Sequence, residues 1–198
     1  MTEHRSAIEV EVRQLVADVL SRVLDGSTTS GAPRQAAGAA NDDGGRERIA
    51  VGADHGGFPL KQVLIERLVD AGWDIEDCGT DSADACDYPD FAHRVARQVA
   101  RGRCRWGIMI DGAGIGSAMA ANKVPGVRAA ACYDLSTARN SREHNRANVL
   151  TLGAGLTGPN LAWDIVREWL ATDWGGDRHQ RRVALIQEIE DMYVRSGS

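Results

Sequence analysis

From residue 47 onward the chain alternates between two hydrophobic rhythms, and that alternation constrains its fold more than any other feature. Short apolar runs at 48–53, 73–77, 106–110, 128–132 and 148–152 read as strands. Longer stretches with apolar residues three and four apart, at 59–71, 88–101, 115–121, 136–145, 159–171 and 178–194, read as helices. Pro59 and Pro159 stand in first turns, where a missing N–H costs little, and Gly72 and Gly102 stand where left-handed caps are needed. Strand–helix alternation of this kind implies right-handed crossovers. The expected domain is therefore α/β: a mainly parallel five-stranded sheet covered by helices on both faces.

Two composition shifts precede that domain. Residues 1–24 contain an amphipathic helical pattern over 6–24, in which Ile8, Val12, Leu15, Val16, Val19 and Val23 recur every three or four positions. Residues 25–46 are mostly Gly, Ser, Thr, Ala, Asn and Asp, a linker composition with too little apolar surface to fold. The remainder, 47–198, reads as one domain.

Composition narrows the function classes. The 198 residues are 43% hydrophobic and 26% charged, as a folded globular chain requires. A net charge of −5 argues against non-specific nucleic-acid binding. No apolar run approaches the roughly 20 residues that span a bilayer. Met1-Thr2-Glu3-His4-Arg5 has no signal-peptide layout, so the expected location is cytoplasmic. Cys78, Cys86, Cys104 and Cys132 have neither metal-ligand nor disulfide-scaffold spacing and read as reduced thiols. Cys78 and Cys132, at strand ends, are expected to be buried small hydrophobes.

Open parallel sheets bind ligands beyond the carboxyl ends of their strands. Five polar groups fall in the connecting turns and are expected to gather at one edge: Asp54-His55, Asp87-Tyr88, the loop Asp111-Gly112-Ala113-Gly114-Ile115-Gly116-Ser117, Arg142 to Asn145, and Arg178 to Arg182. Each has a plain structural alternative. Asp54 and Asp111 would serve as helix caps, His144 as a core histidine, and the arginines as a solvated face. The glycine loop is the most telling, because its N–H groups converge at a helix N-terminus, where negative charge is favoured. A dinucleotide fingerprint is the rival reading, with Asp134 as the ribose acid. However, Ser117 takes the third glycine's place, and the loop follows the third strand rather than the first.

Taken in order, Gly52-Ala53-Asp54-His55-Gly56-Gly57, Asp87-Tyr88-Pro89-Asp90-Phe91, Gly114-Ile115-Gly116, Ala120-Ala121-Asn122-Lys123, Arg142 to Asn148 and Arg178 to Arg182 closely resemble the type B ribose-5-phosphate isomerase family, which includes galactose-6-phosphate isomerases. The resemblance implies a Rossmann-like three-layer α/β/α sandwich. It also implies a homodimer with shared active sites, sometimes paired into tetramers, and no metal or organic cofactor. The implied reaction interconverts aldose and ketose phosphates through a cis-enediolate, with ribose 5-phosphate the default substrate. Carried over, Asp54 and His55 contact the sugar and phosphate, Tyr88 lines the pocket, and His144 assists ring opening. Asn145 binds substrate or enediolate, and Gly112, Ala113, Gly114 and Gly116 form the anion hole. Arg178 and Arg182 clamp the phosphate from the partner subunit.

Three departures stand out. The family usually carries a cysteine base at position 111, and one branch a glutamate base at 117, whereas this chain has Asp111 and Ser117. A carboxylate can abstract a proton alpha to a carbonyl, so Asp111 is read as the base. Ala113 replaces a hydroxyl residue, and Gly155 stands where the family commonly has arginine, removing one charged phosphate contact. Residues 6–24 resemble bacterial-microcompartment targeting peptides, which implies shell-protein partners; a helix docking on its own dimer and a membrane-surface helix are the alternatives. A non-catalytic sugar-phosphate-binding homologue and an NAD-dependent oxidoreductase are the rival functions.

Overall fold

The computed structural model describes residues 47–195. The readings of 1–24 as a helix and 25–46 as a linker lie outside the described residues.

Five strands, β1 (Arg48–Ala53), β2 (Asp74–Asp77), β3 (Trp106–Asp111), β4 (Ala129–Ala131) and β5 (Val149–Gly153), form one sheet in the order β2-β1-β3-β5-β4. Every pairing is parallel. Six helices, α1 (Phe58–Asp70), α2 (Tyr88–Ala100), α3 (Ile115–Ala121), α4 (Leu135–Glu143), α5 (Pro159–Ala171) and α6 (Asp177–Arg195), follow in chain order. Every strand and helix expected within the domain is present. Strand β4 is shorter than expected because Asn122 accepts from the Ala129 N–H and donates to its carbonyl, and Asn148 takes the Arg128 N–H. Gly72 and Gly102 adopt the positive φ expected of them, 90° and 67°.

Period-two alternation along the strands builds two cores. Ile49, Val51, Ile108, Ile110, Leu150 and Leu152 point to the face covered by α1, α4 and α5. Ala50, Met109 and Val149 point to the other, under α2 and α3. On that second face a Cβ on Gly52 or Gly107 would lie 2.8 and 2.7 Å from the Val95 methyls, so α2 packs directly against bare backbone. Cys78, Cys104 and Cys132 are buried as small hydrophobes, and burial pushes the Cys78 thiol up to about 12. No described helix is long and apolar enough to cross a membrane.

Sheet order decides where a site can form. The chain leaves β1 toward β2 on one side, then returns past it to β3 on the other. The carboxyl ends of β1 and β3 therefore flank the point where the winding reverses, which is where such sheets open a crevice.

One buried charge braces this edge. Lys61 of α1 is fully buried, and its Nζ donates to both Asp77 oxygens (2.6 and 2.8 Å) and to the Thr80 carbonyl (2.8 Å). Truncating the acid strands the ammonium, whereas replacing the lysine by an apolar chain of equal length does not. Asp77→Ala should lower urea stability by about 2–3 kcal/mol, discounted from a fully buried pair because the acid is partly solvated. Lys61→Met should be close to neutral. Equal losses in both variants would contradict this account.

Candidate active site

Beyond β1, Asp54 is buried and its Oδ1 accepts the Gly57 N–H at 2.8 Å, while the Asp54 N–H donates to the Ile110 carbonyl of β3. His55 is exposed beside it. Its Nδ1 lies 3.2 Å from both the N and O of Cys86 and 4.0 Å from the Cys86 sulfur. Tyr88 begins α2 and lays its ring on Gly116, where an added Cβ would sit 2.6 Å from the phenol. A side chain at 116 would displace the ring, which explains the glycine.

Asp111 ends β3 and is 4% exposed. Its Oδ1 accepts the Ala113 N–H at 2.8 Å and the Gly114 N–H at shorter range. Its Oδ2 accepts the Ser117 N–H at 3.1 Å and the Ser117 hydroxyl. The N-cap of α3 is Gly114, with φ 78°, a left-handed conformation that suits glycine. The carboxylate thus bonds N–H groups of the helix terminus from three residues upstream, but the N-cap positions weighed for Asp111 and Asp54 are taken by Gly114 and Gly57. Strand β5 pins the same loop through Thr151 Oγ1 to the Gly114 carbonyl (2.7 Å), Ala154 N–H to the Asp111 carbonyl (2.7 Å) and Gly155 N–H to the Gly112 carbonyl (3.0 Å). A Cβ on Gly155 would lie 3.0 Å from that last oxygen, so the missing arginine coincides with a close backbone contact.

The expectation that all five polar groups share one edge is wrong for a single chain. A helix that starts beyond the carboxyl end of its strand runs back down the sheet, so α4 delivers its last residues to the amino edge. Arg142 there is 4% exposed and stacks 3.9 Å over Trp106, the first residue of β3, with its Nη1 on the Ala147 carbonyl at 2.6 Å. Burial against the Trp106 and Trp169 rings pulls this guanidinium down to about 10. His144 lies at the same edge, stacked on His179 of α6 with ring centroids 4.1 Å apart. Arg178 Nε–H donates to His179 Nε2 at 3.0 Å, which places Arg178 there as well, with Arg182 one turn on. Asn145 reaches toward Asn140 and lines a groove with Ala130 and Ser141. Five strand steps of about 3.3 Å separate the two edges by about 17 Å.

Asp54, His55, Tyr88, Asp111 and Gly112, Ala113, Gly114 and Gly116 are therefore brought together, and His144, Asn145, Arg178 and Arg182 are not with them. Asp134 is the N-cap of α4 in a capping box with Thr137, which removes the ribose acid of the dinucleotide reading. Among the described residues no group of three His, Cys, Asp or Glu side chains is placed to hold a metal ion. Sequence reasoning missed Cys86, which falls in a loop outside every matched motif. It also missed the Ser117 hydroxyl on Asp111, whose only signal is that Ser117 occupies the third position of α3.

A family model described as Ribose/Galactose Isomerase matches residues 49–186. The chain belongs to that family. Ribose-5-phosphate isomerase B of Escherichia coli is 44% identical over 144 residues, 73% of this chain and 97% of that protein. The solved structure of Clostridium thermocellum ribose-5-phosphate isomerase B superposes with a TM-score of 0.73 at 48% identity, covering 74% of this chain and 99% of that one. The Mycoplasma genitalium enzyme, solved with bound ribulose 5-phosphate, is 39% identical with a TM-score of 0.71, over 73% and 96% of the two chains. The isomerase class and the α/β sandwich expected from the motifs stand.

The amino-edge cluster has a pH signature. Burial, followed by the charges of His144, Arg178 and Arg182, holds His179 below its ordinary value of 6.5. The unfolded chain therefore takes up the proton first, and the stack's contribution is complete above about pH 6.5 and is lost as pH falls toward the lowered value. Wild type should lose more urea stability than His179→Gln between about pH 7.5 and 5.5. Identical slopes would assign no role to this histidine.

Proposed function

We propose that the chain is a cofactor-free aldose–ketose isomerase of sugar phosphates, with ribose 5-phosphate as default substrate and ribulose 5-phosphate as product. The observation that carries this reading is the Asp111 carboxylate touching Ser117 beyond β3. Positions 111 and 117 are the two at which the family's alternative bases stand, and their side chains converge on one point. A carboxylate at 111 thus reaches where a glutamate at 117 would place its own.

In the proposed reaction Asp111 removes the proton alpha to the carbonyl and returns it to the neighbouring carbon. Charge gathers on the enediolate oxygens, and donors fixed before reaction stabilise it without reorganising. The Ile115 and Gly116 N–H groups in the first turn of α3 serve here, since Asp111 accepts neither among the described residues. Asp54 and His55 orient the sugar, and Tyr88 closes one wall. His144 assists ring opening, Asn145 steadies the enediolate, and Arg178 and Arg182 take the phosphate, to which two guanidinium forks offer charge-assisted bonds.

Edges about 17 Å apart cannot close on one pentose phosphate. A homodimer, in which the partner supplies His144, Asn145, Arg178 and Arg182, resolves that. Its apolar contact is supported by α6, where Leu185, Ile186, Ile189 and Tyr193 are exposed by 45% or more. Pairing of such dimers into a tetramer would leave each shared site intact. We assign residues 6–24 to microcompartment shell binding on sequence pattern alone, and place the enzyme in the cytoplasm or within such a compartment, with no nucleic-acid or membrane partner.

Asp111→Asn should lower turnover of ribose 5-phosphate by about 10²–10⁴-fold with the thermal transition retained. Arg178→Ala should chiefly raise KM. Mixing the two variants, with substrate held well below the raised KM, tests the sharing: half the dimers are then mixed and each holds one intact site, so about a quarter of wild-type turnover should return. No recovery would place the whole site in one chain. Ligand-induced stabilisation without turnover in wild type would favour the binding-only homologue.

A further inference from the structure

The four donors on Asp111 raise a chemical difficulty. A carboxylate offers about four lone-pair sites, and those of Asp111 are taken by the N–H groups of Ala113, Gly114 and Ser117 and by the Ser117 hydroxyl. A base needs a vacant lone pair directed at the substrate. Three of the donors are backbone groups in a loop pinned by β5, so moving them means breaking the loop. The hydroxyl alone can leave by rotating about one bond.

Rotation about that bond lifts the hydroxyl off Oδ2 while the Ser117 N–H stays on the same oxygen, so the residue keeps its hold on the carboxylate and one lone pair is freed. Ser117 is fully buried, so solvent does not compete for its hydroxyl.

We infer that Ser117 is a positioning residue for the proton-transfer base, its N–H holding Asp111 Oδ2 while its hydroxyl turns on and off the same oxygen. This rests on the reading of Asp111 as base. With the hydroxyl on Oδ2 the carboxylate is held ready and inert. With it turned away, Oδ2 takes the proton from the substrate carbon; the C–H bond breaks and its electron pair enters the enediolate. The new carboxylic O–H then donates to Ser117 Oγ, which keeps the acid aligned until the proton returns to the adjacent carbon. Ionisable groups on the elements facing this point are Asp54 and His55 after β1 and Tyr88 on α2. Helix α3 and the turn after β5 (153–158) contribute none.

Steady-state kinetics of the full chain on ribose 5-phosphate, from about pH 5 to 9, test this with Ser117→Ala, Ser117→Thr and Asp111→Asn. Ser117→Ala removes a hydrogen bond to the charged base and the acceptor for its acid form. Its kcat should fall about tenfold with KM within about twofold, and the acid limb of its kcat profile should move up by about one pH unit. Ser117→Thr should restore both, because it keeps the rotating hydroxyl. In the Asp111→Asn background the serine change should cost nothing further, since the two act as one unit. An unshifted acid limb in Ser117→Ala, or a threonine variant no better than alanine, overturns the inference while leaving the base reading intact. Full turnover in Asp111→Asn, or none in wild type, overturns the base reading and the inference together.

Discussion

The Asp111 carboxylate is the interaction on which the candidate site depends. It sits at the end of the central strand, where the sheet's winding reverses, and it gathers the N–H groups of the glycine loop at the head of α3. An anion is favoured there because peptide dipoles and unsatisfied N–H groups point the same way. The consequence is a division of donors. Part of the loop is consumed internally to fix its shape, and only the remaining N–H groups are left for a ligand. A cysteine at the same position, with its weak sulfur acceptor, would leave more of the loop unfilled. A carboxylate in place of a thiol therefore changes which loop N–H groups are free as well as the acid–base chemistry of the position.

Most of the fold was legible because it depends on local pattern. Unbroken apolar runs such as Ile49-Ala50-Val51 and Ile108-Met109-Ile110 mark strands buried on both faces, and the helices between them leave few arrangements. What the pattern could not contain was sheet order. Nothing in the residues of 128–152 announces that β5 inserts between β3 and β4. Yet that insertion brings Thr151 and Gly155 against the glycine loop, and with them the contacts that hold it.

The site was half legible, and the reason is geometric. Residues that follow a strand lie at its carboxyl edge, so Asp54 and Asp111 were found where the rule placed them. Residues that end a helix lie at the other edge, and grouping His144 with them because it falls in a connecting turn overlooked which end of the helix that turn follows. Its ring meets His179 and Arg142 lies on Trp106, contacts between elements distant in sequence that no local reading supplies. Cys86 beside His55 and the Ser117 hydroxyl on Asp111 were invisible for the same reason. Each is an ordinary residue made specific by what the fold sets next to it.

Splitting the site between two edges has a physical logic. Arginines gathered for a doubly charged phosphate, the role proposed for Arg178 and Arg182, repel one another, and a buried cluster of them would be costly within one core. At the amino edge Arg142 already shows that strain: burial lowers it, and nearby Arg105, Arg146 and Arg128 lower it further. Adding the negative loop ligand Asp111 to the same chain's cluster would have quenched both in an ion pair. Held about 17 Å apart, the acid keeps its loop and the arginines keep their charge. In the homodimer proposed above, the partner's cations meet the phosphate beside a carboxylate whose oxygens are already held by the N–H groups of its own loop. An arginine at position 155 would stand on the Asp111 side, where its charge would compete with the glycine loop for that carboxylate.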